Sequence, residues 1–158
     1  MILAIDPGCT ESAYVLMEED LKPVEFGKIS NQDLLDNCKY WSRRLVGCEL
    51  AIEMVASYGM AVGVEVFETV FWIGRFWEAF DGFEATRSRI YRKDVKMNLC
   101  GQTKAKDSNI RQALIDRFGS KGTKASPGWF YGFKADCWQA YAAGVTYADM
   151  RKAREGMK

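Results

Sequence analysis

The stretch Ile2-Leu3-Ala4-Ile5-Asp6-Pro7-Gly8 decides the fold. Four consecutive apolar residues suit a strand buried on both faces, and the Pro-Gly pair ends it by removing a backbone donor and permitting a sharp turn. A single carboxylate, Asp6, sits where that strand leaves the core. A second apolar run, Leu50-Ala51-Ile52-Glu53-Met54-Val55, again carries one acid in its middle, and an apolar helical stretch near the end carries another, Asp136. Burying an ionised carboxylate without a partner costs roughly several kcal/mol, so each of these acids needs a cation, a hydrogen-bond network or a shifted pKa. A hard divalent ion such as Mg2+ is the cheapest common partner.

Outward from the first strand, the pattern predicts strands over 12–17 and 24–30, forming an antiparallel meander with it. Ser30 or Asn31 can cap a helix whose apolar positions Leu34, Leu35, Cys38, Trp41 and Leu45 recur at helical spacing and which ends near Gly47. A strand over 49–55 and a helix over 61–80 follow. That helix is apolar on more than one face, through Val62, Val64, Val66, Phe67, Val70, Phe71, Ile73, Phe76, Trp77 and Phe80. Either neighbouring helices or a second copy of the chain must cover the excess. A strand over 83–91, a short helix over 95–99, a helix from an Asp107 or Ser108 cap to Phe118, a Gly/Ser/Lys loop at 120–128 expected to be mobile, and a helix over 134–154 complete the reading. The small residues Ala135, Ala140, Ala142, Ala143 and Gly144 in that last helix permit close packing on a sheet. With no internal repeat or linker, one α/β domain spanning 1–158 is expected, its first and fourth strands adjacent at the centre.

Composition narrows the chemistry. Histidine is absent from the 158 residues, which excludes hydrolases that use an imidazole base and zinc sites built on imidazole. Cys9, Cys38, Cys48, Cys100 and Cys137 include no C-x-x-C pair and read as reduced packing residues. No apolar run approaches the roughly 20 residues that span a bilayer, and no charged leader precedes the first apolar stretch, so a cytoplasmic protein without a membrane partner is expected. The net charge of +1 hides a polarity along the chain. Residues 1–86 hold 6 basic against 15 acidic side chains, whereas residues 87–124 hold 11 against 3. A basic segment of this kind suits a polyanion.

ILAIDPG, AIEMV, VKMNLCGQTKAKD and DCWQAYAAG, in this order and spacing, resemble the RuvC-type Holliday junction resolvases of the RNase H-like superfamily, over nearly the whole chain. The short length and missing histidine look more like the phage-encoded branch, which would place the protein in the host cytoplasm. The resemblance implies a mixed five-stranded sheet flanked by helices on both faces. It implies that Asp6, Glu53 and Asp136 are catalytic and hold Mg2+ or Mn2+, two ions per site, with no organic cofactor. The family usually carries two acids one turn apart on the last helix; here the first is Asp136 and the second position is Gln139, which stays in the expected catalytic set because its amide can orient a water or bind a metal through its carbonyl oxygen, so that either the site works with three carboxylates or another acid substitutes. Asp107, Glu65 and Glu68 are the candidates for a replacement acid. A register with Asp136 second and Phe133 first is set aside, because Ala140 and Ala142 then miss the family's small residues. Lys96 falls on a DNA-contacting lysine of the family, and Lys104 and Lys106 precede a helix N-terminus suited to a phosphate. Arg87, Arg89, Arg92, Lys93, Arg111, Lys121 and Lys124 are expected along the DNA backbone, and Tyr58 either packs its loop or stacks on an unpaired base.

Two metal ions about 4 Å apart can activate a water, stabilise the phosphorane and stabilise the leaving oxygen of a phosphodiester. Such hydrolysis leaves 5′-phosphate and 3′-hydroxyl ends. A four-way junction needs two symmetric cuts, so a twofold homodimer acting on branched DNA is expected, with Phe67, Phe71 and Gly74 at its interface. An RNase H-like nuclease acting on structured RNA and a non-catalytic junction-binding protein are the alternatives.

Overall fold

The computed structural model describes residues 1–57, 59 and 61–157; Tyr58 lies outside them. The elements are β1 (Ile2–Asp6), β2 (Glu11–Met17), β3 (Pro23–Ser30), α1 (Asn31–Arg44), β4 (Glu49–Met54), α2 (Val64–Ala79), β5 (Thr86–Tyr91), α3 (Arg92–Cys100), α4 (Asp107–Phe118) and α5 (Ala135–Glu155). The strands form one five-stranded sheet in the order β3-β2-β1-β4-β5. The β1–β2 and β2–β3 pairs are antiparallel, whereas β1–β4 and β4–β5 are parallel. The sheet is therefore mixed, with β1 and β4 side by side at its centre.

Alternation along the central strands assigns each side chain to a face. Ile2 and Ala4 of β1, Ala13 and Val15 of β2 and Ala51 of β4 join the cluster built on α5, which α3 and α4 complete with Val95, Ile110 and Leu114. Leu3 and Ile5, with Leu50 and Ile52, join the opposite cluster, closed by Leu34, Leu35 and Trp41 of α1 and Ile73 and Phe76 of α2. Both faces of the sheet are thus covered, which is why these strands read as continuous apolar runs. Helix α5 approaches unusually closely at Gly144, where an added Cβ would lie 2.8 Å from Ala4 Cβ and 2.5 Å from Met17 Cε. Phe118, Trp129, Phe130 and Phe133 surround Tyr141 of α5, whose hydroxyl donates to Leu21 O at 2.9 Å and accepts from Trp129 Nε1 at 2.9 Å.

Several boundaries differ from the sequence expectation for local reasons. Strand β5 starts at Thr86 rather than 83, since Glu84 adopts φ 56°, a left-handed conformation that breaks an extended run. Helix α3 begins at Arg92, directly after β5, and the Tyr91 N–H is met by Asp94 Oδ2 at 3.4 Å. The cap of α4 is Lys106, neither Asp107 nor Ser108, and its N–H donates to Asn109 Oδ1 at 2.9 Å. At α1 the cap is Ser30, whose Oγ accepts from the Asp33 N–H at 3.1 Å. The 120–128 loop folds back on itself, with Thr123 N–H donating to Ser126 O and Gly128 N–H to Lys121 O.

Helix α2 buries Ile73 and Phe76 but leaves Val64, Phe67 and Phe71 more than half exposed. Cys38, Cys48 and Cys137 are buried thiols, and Cys9 and Cys100 are also free. Among the described residues no helix is long and apolar enough to cross a membrane.

Candidate functional site

Strand parity explains how the acids come together. Asp6 follows Ile2 and Ala4 on the face that α5 covers, and Glu53 follows Glu49 and Ala51 on that same face. Ile5 pairs with Ile52, so Asp6 and Glu53 are the next residues on two adjacent parallel strands. Asp136 lies in the first turn of α5, against the same sheet end. The turn beyond Asp6 is pinned: Gly8 N–H donates to Ser12 Oγ (3.1 Å), Ser12 Oγ donates to Asn31 Oδ1 (2.6 Å), and Asn31 Nδ2 donates to Gly8 O (2.9 Å). Only glycine fits at position 8, because an added Cβ would meet Glu11 O at 2.3 Å.

The electrostatics record this convergence. Burial, then the neighbouring Glu53 carboxylate and more weakly that of Asp136, push Asp6 up to about 7 against the opposing pull of Arg92 and Lys28. Glu53 is also raised, chiefly by burial, with Arg92 as the main opposing charge. Arg92 bridges two acids, its Nη1 3.5 Å from Glu53 Oε2 and its Nη2 bonded to Asp107 Oδ1. Lys28 Nζ stands 2.7 Å from Asp136 Oδ2. Among the described residues the buried Oε1 of Gln139 has no hydrogen-bond partner.

Three hollows result, two of them sharing Asp136. Asp6, Glu53 and Arg92 line one, Asp107, Arg111, Asp136 and Gln139 line the second, and Lys28, Lys134 and Asp136 line the third. Asp136 therefore stands between two of them, turned to Lys28. As placed, no three acids among the described residues are grouped closely enough to ligate one ion. In kind, however, the donors fit a hard divalent cation: carboxylates from three elements, one pushed toward neutrality by burial and then by its acidic neighbours, and an amide oxygen left unsatisfied among the described residues.

No protein-family model matches the chain, and no curated protein matches it in sequence. Solved structures do. The Thermus thermophilus RuvC structure superposes with a TM-score of 0.66 at 14% identity, covering 96% of this chain and 95% of that one. T. thermophilus RuvC in complex with a Holliday junction substrate gives 0.65 at 16% identity, covering 96% and 94%. The chain has a RuvC-type fold.

Within the RuvC-type fold the remaining candidates sort by position. Lys96 on α3 is partly buried and lies within electrostatic reach of Glu53. Lys104 and Lys106 are exposed before α4, Arg111 on α4 lies 4.7 Å over the Trp138 ring, and Lys93, Lys121 and Lys124 are exposed. Arg92, expected along a DNA backbone, is ion-paired with Glu53 and Asp107. Arg87 and Arg89 lie on β5. Strand alternation turns both away from the Ile90 face, and they stack near Trp77 of α2, on the side of the sheet opposite the acids. Of the replacement acids, Asp107 is tied to Glu53 through Arg92, whereas Glu65 and Glu68 are exposed on α2 and line none of the three hollows. Phe133 precedes α5 and is buried in the aromatic cluster. On α2, Phe67 and Phe71 are exposed and Gly74 has open space around its Cα.

Sequence reasoning missed Lys28 as a site residue. It enters through register: Asp6 pairs with Ala13, and Ala13 with Lys28, so all three share one row and one face. An isolated lysine in an exposed-looking strand carries no signal for that. Ser12 and Asn31 were equally silent, since the meander's pairing is what brings both against Gly8.

Proposed function

We propose that the protein is a metal-dependent, structure-selective DNA endonuclease that resolves four-way junctions by paired nicks, leaving 5′-phosphate and 3′-hydroxyl ends for sealing in recombination and repair. The observation that carries this reading is the placement of Asp6 and Glu53 as neighbours on adjacent strand ends, with Asp6 within electrostatic reach of Asp136, which lines a separate hollow together with Gln139. The RuvC-type fold supports it, as does the junction DNA in the T. thermophilus complex. Asp6, Glu53 and Asp136, with Gln139 as a neutral ligand, would hold Mg2+ or Mn2+. When bound, the ions supply a nucleophilic water at neutral pH and charge stabilisation at the phosphorus.

The protein's own contribution is positioning. Asp6 offers a carboxylate whose strand end cannot shift, because the Gly8-Ser12-Asn31 network holds the turn after it. Arg92 keeps Glu53 oriented while leaving it beside Asp6. Lys96, Lys104, Lys106 and Arg111 present cations on the side of the molecule where α3 and α4 flank the acids, and phosphates of a junction arm lie along them. The exposed Phe67 and Phe71 on α2, with Gly74 permitting close approach, form the contact of a twofold homodimer, which sets two sites for two symmetric cuts. The whole chain acts as one nuclease domain.

The test is a gel assay of synthetic four-way junctions, with linear duplex and structured RNA as comparators, in Mg2+, Mn2+ or chelator. Paired nicks in junction DNA that require the metal support the reading. Preferential cutting of RNA replaces the substrate. A second reading, a junction binder without catalysis, is favoured by the ion pairs that neutralise Glu53 and Asp136 and by the amide at position 139. It expects equal binding with and without metal and no nick at any pH.

A further inference from the structure

Resting on the metal-site reading above, we infer that Lys28 is a latch: in the metal-free protein its ammonium holds Asp136 turned away from Asp6 and Glu53, and metal entry requires that this ion pair open. The two basic residues of the site differ in a way that assigns the roles. The Arg92–Glu53 pair is largely buried, with side chains 23% and 16% exposed, and Arg92 is anchored again by Asp107. Breaking a pair of that kind strands a buried charge, so it persists. The Lys28–Asp136 pair is 45% exposed on both sides, and exposed pairs of this type contribute little net stability. It is the ion pair that a divalent cation can displace.

Register places the latch where it must be to do this. Lys28 lies in the row of Asp6, two strands away, with only the methyl group of Ala13 between them. It reaches over Ala13 to Asp136, the one acid of the three that α5 rather than the sheet supplies. Asp136 consequently lines the Lys28 hollow and the Gln139 hollow but not the one formed by Asp6 and Glu53. This accounts for the otherwise puzzling fact that the described acids do not group into a three-ligand set although Asp6 feels the charge of both others. Lys28 is thus a positioning residue that competes with the metal for one ligand.

The experiment is calorimetric titration of the intact metal-free protein with Mg2+ alone and with Mn2+ alone, without DNA, comparing the parent with Lys28→Met, Lys28→Arg and Lys134→Met. Lys134 lines the same hollow but forms no ion pair among the described residues, so it controls for the general loss of positive charge. The latch expects Lys28→Met to bind metal about two- to fivefold more tightly, Lys28→Arg to match the parent, and Lys134→Met to shift affinity distinctly less than Lys28→Met. Equal shifts for the two methionine variants, or no shift for Lys28→Met, overturn the latch while leaving the metal site standing. Absence of metal binding by every protein removes the metal-site reading itself, and the latch with it.

Discussion

Gly144 of α5 lies so near Ala4 of β1 that a methyl group on the glycine would stand 2.8 Å from the alanine Cβ. A mid-helix glycine ordinarily costs roughly 1 kcal/mol relative to alanine, so Gly144→Ala on an uncrowded helix would raise stability. Here the new methyl pushes α5 off the sheet. Gly144→Ala is expected to destabilise by about 1–3 kcal/mol, read as a lower urea midpoint, and Gly144→Val by more. A stabilised Gly144→Ala protein would mean that the helix sits farther from β1.

Asp6 makes the metal-free protein sensitive to pH. Its folded-state pKa, about 7, exceeds the ordinary carboxylate value of 3.8, so between those values the folded state binds the proton more tightly than the unfolded chain. The stability this contributes is complete below about pH 4 and disappears as pH rises through 7; the raised Glu53 acts in the same direction. Asp6→Asn removes the Asp6 part of this dependence and leaves that of Glu53. It is expected to be more stable than the parent at pH 8 in chelator, by on the order of 2–4 kcal/mol, while binding junctions and cutting none. Thermal melts across pH 4–8 check the first statement and the junction assay the second.

Gln139→Glu places a carboxylate where an unsatisfied amide oxygen now lies. Metal affinity is expected to rise roughly three- to tenfold, since ligand charge tunes the binding of hard cations. In chelator the same variant should be less stable, because a further acid faces Asp136. Calorimetry and melts with and without Mg2+ report both, and an unchanged affinity would place Gln139 outside the ligand set.

Reversing Lys96 and Lys104 to Glu is expected to weaken junction binding and reduce its salt dependence. Each phosphate that is no longer neutralised lowers the slope of log affinity against log salt by roughly 0.9. Arg87→Ala and Arg89→Ala, on the far side of the sheet, should leave that slope unaltered. Fluorescence anisotropy at several salt concentrations separates the two sets.

Phe71→Glu puts a charge in the middle of the exposed apolar stripe of α2. A monomer by sedimentation is expected, with folding intact because the side chain is already more than half exposed, and with single nicks in place of paired ones. A dimer that survives the substitution would move the interface elsewhere.

The amino-acid sequence by itself determined the element order, the central pairing of β1 with β4 and the identity of the lone acids. These depend on local signals: apolar runs bounded by Pro-Gly, helical spacing in α1, and small residues in α5. The side assignments, by which Asp6 and Glu53 share a face with Ala4 and Ala51, came from the folded sheet, since continuous apolar runs leave no alternation to read. Tertiary structure alone decided which cations meet which acids. Arg92 pairs with Glu53 because β5 runs directly into α3 at Tyr91, bringing that guanidinium over the carboxylate. Lys28 reached Asp136 because strand register, set by pairing across two antiparallel ladders, aligned residues that are far apart in the chain. Charge pairing falls steeply with distance, so it depends on the final placement of side chains and leaves no periodic trace in the order of residues.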